Sequence, residues 1–125
     1  MTKIFKIKKS VEFKKIQNIA KKIHSKSFIF LYHPSIDEIS KEKHLRFCRY
    51  GITISKKTCK FATNRNLIKR RINNIFRELK PNLHFQNYDF VIIAKQQILA
   101  VNYIDLYNEF KIIFKQFYEK TNQSK

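Results

Sequence analysis

The residues with the clearest chemistry in this sequence lie in a basic segment, residues 56–77. The segment contains eight Lys and Arg side chains and no Asp or Glu. Arginine carries a planar guanidinium that grips a phosphate through two parallel hydrogen bonds or stacks on a base. Asn66 and Asn73 in the same segment add uncharged hydrogen-bonding groups. The segment therefore predicts a surface that binds a polyanion.

The composition of the whole chain agrees with such a partner. The 125 residues include 27 Lys and Arg against nine Asp and Glu, which leaves a formal charge of +18 and a pI near 10.1. A chain with this charge repels itself unless a polyanion lies nearby, and nucleic acid is the polyanion that we expect. With 43% apolar residues the chain can still form a core, so disorder is not expected.

The basic segment shows helical periodicity over residues 58–79. At about 100° per residue, an arc of roughly 140° contains Arg65, Asn66, Lys69, Arg70, Asn73 and Arg77. An apolar stripe, comprising Phe61, Ile68, Ile72, Ile75, Phe76 and Leu79, runs beside that arc. One side of the helix is thus predicted to be buried and the other to face phosphate, although a merely solvated face is the alternative. If about five cations each neutralise one phosphate, the log–log salt slope of RNA binding is on the order of −4.

Apolar patterning predicts the elements that must position this helix. We expect helices over residues 10–23 and 58–79 and from residue 103 to 117, and strands over residues 27–33 and 88–95. Residues 45–55 form either two strands or one long strand bent at Gly51. The predicted architecture is a single α+β domain over residues 1–125, with three helices packed on a small mixed sheet and frayed ends at residues 1–4 and 121–125.

Several other classes of site and location are disfavoured. Cys48 and Cys59 form no CxxC pair, which indicates a reducing, cytoplasmic compartment. No apolar run approaches the roughly 20 residues that span a bilayer, and no secretory signal is visible. His44 could join the two cysteines on paper, but the spacing fits no compact zinc pattern. Carboxylates and histidines are scattered, so we predict neither a metal site formed by the protein alone nor a catalytic side chain.

At residues 62–70 the sequence ATNRNLIKR, followed by Phe76-Arg77, closely resembles the RNR signature of the protein subunit of bacterial ribonuclease P. The resemblance extends upstream to GITISKK at residues 51–57 and to Phe13, and downstream to the strand over residues 88–95. It covers nearly the whole chain in the right order. The ordered pair SKK and RNxxKR is the feature that favours this family over the alternative, a structural RNA-binding module such as a small ribosomal protein.

The resemblance implies a fold and a division of labour. Proteins of that family have an α+β sandwich with a left-handed βαβ crossover that includes the RNR helix. Their large RNA subunit removes the 5′ leader of precursor tRNA with bound magnesium, and the protein is an accessory subunit of this endoribonuclease, a hydrolase. By resemblance, magnesium is held mainly by the RNA, the partners are the catalytic RNA and the leader, and neither a membrane nor an obligate protein partner is expected.

The resemblance also assigns residues to the two RNA contacts. The expected contacts with the catalytic RNA are Lys56, Lys57, Arg65, Asn66, Lys69, Arg70 and Arg77. The expected groove for the single-stranded leader contains Phe13, Lys14, Gln17 and one face of the sheet. That face is either the one with Phe28, Phe30 and Tyr32 or the one with Ile29, Leu31 and His33. The chain departs from the family at Asn73-Asn74, where Arg-Glu is common, and at Gln17, where a second aromatic is usual.

Overall fold

A computed structural model describes residues 3–7, 10–34, 47–79 and 88–121. In this part of the chain, three helices and a short 3₁₀ helix accompany a five-stranded mixed sheet of strand order β1-β4-β5-β3-β2. The elements are β1 (Lys3–Lys6), α1 (Ser10–Ile19), β2 (Lys21–His24), β3 (Phe28–Pro34), β4 (Phe47–Thr53), α2 (Ala62–Leu79), β5 (Tyr88–Ala94), a 3₁₀ helix (Gln96–Leu99) and α3 (Tyr103–Thr121). The predicted α+β class is confirmed.

The first predicted helix is two elements. It ends at Ile19, and Lys21–His24 forms edge strand β2, in which Ile23 pairs with Phe30. Ile16 and Ile23 match one helical stripe in the sequence, but they belong to separate apolar clusters. The prediction of a helix over residues 10–23 was therefore wrong beyond Ile19, because the spacing of two isoleucines coincided with a helical period.

The N-terminus provides a strand that the sequence did not predict. Lys3 and Ile4, expected in a frayed end, begin β1, which runs parallel to β4 with Lys3 opposite Phe47. At the other end, Thr121 closes α3, and its hydroxyl donates to the carbonyl of Phe117 over 2.7 Å. Four residues are too few for an alternating pattern to be recognised, so pairing with a distant strand is what reveals β1.

Strand β4 resolves the choice that the sequence left open between one strand and two. It is one seven-residue strand, and it lies parallel to both β1 and β5. The chain passes from β4 through α2 to β5, which gives the βαβ unit that the resemblance implied. Residues 45–46, with which this strand was expected to start, lie outside the described residues.

Helices α2 and α3 form the main core with one face of the sheet. Phe28 stacks on Phe110 with ring centroids 4.2 Å apart, and Tyr50 stacks on Phe76 at 4.1 Å. Phe30 is completely buried beside them. The face that carries Phe28, Phe30 and Tyr32 is therefore core, so it cannot line a groove for RNA.

Helix α1 covers the opposite face of the sheet, where Ile16 packs with Leu31 and Val91. An ion-pair network lies beside this second cluster. The Arg49 guanidinium donates from Nε and Nη2 to the two carboxylate oxygens of Asp89, at 3.0 and 2.8 Å, and from Nη1 to Glu12 at 2.8 Å. Desolvation acts to lower the pKa of Arg49, but the hydrogen bonds and charges of the two acids raise it above its ordinary value. The network ties α1 to β4 and β5.

Candidate nucleic-acid interface

The outward face of α2 presents the cations of the RNR signature. Lys69, Arg70 and Arg77 are exposed together with Asn66, whereas Ile68, Ile72 and Ile75 on the inner side are buried. Within the helix the polar and apolar residues therefore divide as the 100° spacing predicted. Arg71 is half-buried and donates to the carbonyl of Val101 over 3.2 Å, so it secures α2 to the segment before α3.

Arg65 differs from the other cations of this face. It is half-buried, and its Nη1 donates to the carbonyls of Cys59 and Lys60 over 2.9 and 3.0 Å. These bonds fix the segment that leads into α2. Substitution of Arg65 would therefore disturb this segment as well as remove a charge, which makes Lys69 a cleaner probe of RNA contact.

The asparagine pair that departs from the family pattern has partners of its own. Asn73 is half-buried, and its Oδ1 accepts a 2.5 Å hydrogen bond from the hydroxyl of Tyr50. Burial raises the pKa of Tyr50, so the phenol stays protonated and able to donate. Asn74 Oδ1 accepts from Arg77 Nη1 over 3.1 Å. Asn73 thus connects α2 to the sheet, and Asn74 orients a surface cation.

Lys56 and Lys57 are exposed in a turn, and residues 58–61, predicted as the start of the helix, lie before it. The carbonyl of Ser55 accepts from the backbone N–H groups of Thr58 and Cys59 over 3.1 and 3.0 Å. The Ser55 hydroxyl also accepts from the Thr58 N–H. Because these bonds close a turn from Ser55 to Cys59, the regular helix starts only at Ala62. Both lysines reach solvent from a fixed backbone.

Phe13 lies on the only glycine of the chain. It is half-buried, and a Cβ built on Gly51 would overlap two of its ring carbons, Cε1 and Cζ. No side-chain carbon fits in that space, so glycine is needed for the ring to approach β4. On the same helix Gln17 is half-buried and Lys14 is exposed. On the α1 side of the sheet, Ile29 and His33 are half-buried, so this is the face that retains access to solvent.

A pocket of about 390 Å³ connects the two groups of predicted site residues. Strand β1 ends at Lys6, opposite Tyr50, whereas β4 continues to Thr53, and the pocket lies beside this uncovered part of β4. Its lining comprises Lys6, Ile7, Phe13, Tyr50, Gly51, Ile52, Lys69 and Asn73. An aromatic ring from α1 and two ammonium groups thus share one concave surface. Lys6 and Tyr50 were not among the predicted site residues, because their positions depend on the pairing of β1 with β4.

We predict that Gly51→Ala will lower the free energy of unfolding by about 1–3 kcal/mol, the usual cost of overpacking. The added methyl would occupy the place of the Phe13 ring and force it to move. Urea denaturation of the single variants and of the Phe13→Ala, Gly51→Ala double variant measures this coupling. In the Phe13→Ala background the glycine substitution should cost much less. Equal costs in both backgrounds would contradict the contact.

The described residues show no cluster of side chains suited to hold a metal ion. Among them, no group of three or more His, Cys, Asp and Glu is arranged to hold a metal ion. Cys48 and Cys59 are buried free thiols, and burial raises the pKa of Cys48 to about 12, so this thiol stays protonated at neutral pH. His24 is exposed and His33 is half-buried, while His44 and His84 lie outside the described residues. None of the described helices has the length and apolarity needed to cross a bilayer.

Comparisons with known proteins agree on one family. The family model named Ribonuclease P matches residues 1–118. The ribonuclease P protein component of Streptococcus agalactiae serotype III (strain NEM316) is 33% identical over 103 residues, covering 82% of this chain and 84% of that protein. The corresponding protein of Rickettsia bellii is 31% identical over 115 residues, covering 92% and 95%.

Solved structures give the same result for the fold. The ribonuclease P protein of Staphylococcus aureus superposes with a TM-score of 0.73 at 26% identity, covering 89% of this chain and 93% of that one. The protein from Thermotoga maritima gives a TM-score of 0.70 over 84% of this chain and 90% of that one. At 22% identity the second match supports the fold alone.

Proposed function

From the premise that this chain belongs to the ribonuclease P protein family, we propose that it binds the catalytic RNA of ribonuclease P and the 5′ leader of precursor tRNA. Membership makes it an accessory subunit of an endoribonuclease that acts in tRNA processing. The observation that carries the two-contact proposal is the pocket that Phe13 of α1 and Lys69 of α2 both line. The matched relatives give no support to the alternative of a ribosomal protein.

The outward face of α2 and the turn that carries Lys56 and Lys57 are proposed to dock on the catalytic RNA. The cations available there are Lys56, Lys57, Lys69, Arg70 and Arg77, with Arg65 at the border and Asn66 as an uncharged partner. Their side chains can each reach a phosphate, and a folded RNA presents many phosphates on one surface. Release of the counterions would then provide much of the affinity.

The leader is proposed to lie along α1 and the uncovered end of β4. Single-stranded RNA is typically held by an aromatic platform and a track of cations, which Phe13 with Lys6 and Lys14 can supply. Gln17 offers one further polar contact. Lys69 lines this groove and also belongs to the outward face of α2. A leader bound there would therefore lie beside the surface that is proposed to face the catalytic RNA.

Hydrolysis itself is assigned to the RNA. Magnesium prefers oxygen ligands, chiefly carboxylates and phosphates, and holds several waters. The proposed contact surfaces carry ammonium, guanidinium and amide groups, which do not suit that ion. We therefore propose that the RNA partners hold the magnesium, while the protein side chains position the substrate and neutralise phosphate charge.

The proposed function is tested by cleavage of precursor tRNA by the cognate large RNA at low magnesium, with and without this protein. We expect the RNA alone to cleave poorly and the protein to restore cleavage at the mature 5′ end. Mapping of the product end distinguishes correct processing from nonspecific hydrolysis. Good salt-sensitive binding to the RNA with no effect on cleavage would leave only a general RNA-binding module.

Phe13→Leu is expected to weaken binding of precursor tRNA to the assembled enzyme by roughly 5- to 100-fold, the equivalent of one lost base stack. Leucine keeps apolar packing on Gly51 but removes the aromatic face. Affinity for mature tRNA, which has no leader, should change little, and so should assembly with the large RNA. Val11→Ala is the matched control because Val11 is 74% exposed on the same helix. Equal losses for precursor and mature tRNA would contradict a leader contact.

A further inference from the structure

Phe61 is an exposed aromatic side chain within the basic segment, residues 56–77. Its side chain is 62% exposed, and among the described residues it is the only aromatic in the set of exposed large apolar side chains. The prediction that it belongs to the apolar stripe of α2 is wrong. The helix starts at Ala62, so Phe61 precedes the regular helical positions that turn towards the core.

The backbone that carries Phe61 is anchored on both sides. Its carbonyl accepts from the Arg65 N–H over 3.1 Å and from the Cys59 thiol over 3.6 Å. Cys59 is itself buried, with 1% of its surface exposed. Arg65 Nη1 holds the adjacent carbonyl of Lys60 as well. The chain therefore presents this ring from a fixed segment, which reduces the entropy that a bound partner would have to remove.

The surroundings of the ring favour an anionic partner. Lys60 Nζ lies 5.8 Å from the Phe61 ring centroid, and the exposed Lys56 and Lys57 belong to the turn that leads into this segment. No acidic residue occurs between residues 56 and 77. A nucleobase joined to its phosphate offers a flat ring for the phenyl group and a negative charge for Lys60.

We propose that Phe61 is a stacking platform for an unpaired nucleobase of the catalytic RNA, with Lys60 contacting an adjoining phosphate. This inference rests on the proposed function, because it places the base within the RNA that docks on α2. It adds an aromatic contact to a surface otherwise described by charge. Stacking tolerates any base, so the contact would select an unpaired nucleotide by its accessibility rather than by its sequence.

The chain contains no tryptophan, so Phe61→Trp introduces a single indole fluorophore at the proposed contact. We expect its emission to be quenched as the cognate large RNA is added, with saturation at the stoichiometry of assembly and an affinity at least equal to that of the native protein. Phe61→Leu should bind the RNA about 5- to 100-fold more weakly, since one base stack is lost. Ile104→Trp, at a site 70% exposed at the start of α3, is the control and should not be quenched.

Unquenched indole emission from the Phe61→Trp variant at full RNA saturation would overturn the inference, and so would native affinity in Phe61→Leu. The second result would mean that an aliphatic side chain suffices and that no base stacks. A native protein that fails to bind the large RNA would instead overturn the proposed function on which the inference rests. Circular dichroism of each variant confirms that the comparison is made between folded proteins.

Discussion

Asp89→Ala is expected to lower the free energy of unfolding by about 3–5 kcal/mol, the usual cost of breaking a buried ion pair from one side. Asp89 is completely buried and receives two hydrogen bonds from Arg49, which is only 8% exposed. Without this carboxylate, the guanidinium stays desolvated with Glu12 as its remaining acidic partner in the network. Because the total free energy of unfolding of a domain of this size is about 5–15 kcal/mol, the variant should be close to unfolding under mild conditions.

Urea denaturation measures the effect of Asp89→Ala directly. Asp105→Ala is the matched control, since Asp105 is exposed in the first turn of α3 and should cost at most about 1 kcal/mol. The double variant Arg49→Met, Asp89→Leu should lose less stability than Asp89→Ala, because the one charge that then loses its partner, the Glu12 carboxylate, is partly exposed to water. Similar losses for Asp89→Ala and Asp105→Ala would show that the network contributes little.

The second large effect concerns RNA affinity. Replacing Lys69 and Arg70 with glutamine should weaken binding to the large RNA about 100-fold at 0.1 M salt, and should make the log–log salt slope less steep by about two. Each side chain is exposed on the outward face of α2, where each is proposed to neutralise one phosphate. At higher salt the native protein and the variant should converge, since the release of each counterion then contributes less free energy to binding.

Lys111→Gln with Lys115→Gln is the control for this loss. Both lysines are exposed on α3, and their removal changes the net charge by the same amount without touching α2. Filter binding over a salt series distinguishes a local contact from a general effect of charge. An equal loss in both double variants would contradict a docking role for α2.

The long amphipathic elements were predictable because their patterns are strong. The buried isoleucines of α2 recur at helical spacing, and the apolar stripe of α3 and the compact strand β5 led to the same elements that the structure contains. The outward position of Lys69 and Arg70 follows from the same periodicity. Local pattern was sufficient wherever one side of an element is buried along several turns.

Contacts between distant segments were not predictable from those patterns. The position of Phe13 on Gly51 requires that α1 pack across β4, and the Arg49–Asp89 pair requires that β4 and β5 be neighbours. Arg65 was predicted as a phosphate contact from its spacing, but that spacing did not indicate its bonds to the carbonyls of Cys59 and Lys60, which arise from the turn before α2. These features depend on tertiary packing, which a single sequence does not encode in its spacing.

The parallel pairing of β1 with β4 has a consequence for the order of folding. Lys3 and Phe47 are distant in sequence, with α1, β2 and β3 between them, and must come together for β1 to pair with β4. By contrast, β2 and β3 form a local hairpin, and α2 can form from contacts between residues that are near in sequence. Closing a long loop is entropically costly before its contacts form, so such pairs are expected to form late. The end of β1 helps to frame the Phe13 pocket. During synthesis, we therefore expect the basic face of α2 to attract RNA before that pocket is complete. RNA bound at this stage would favour the compact state because it relieves the repulsion among the positive charges of the chain.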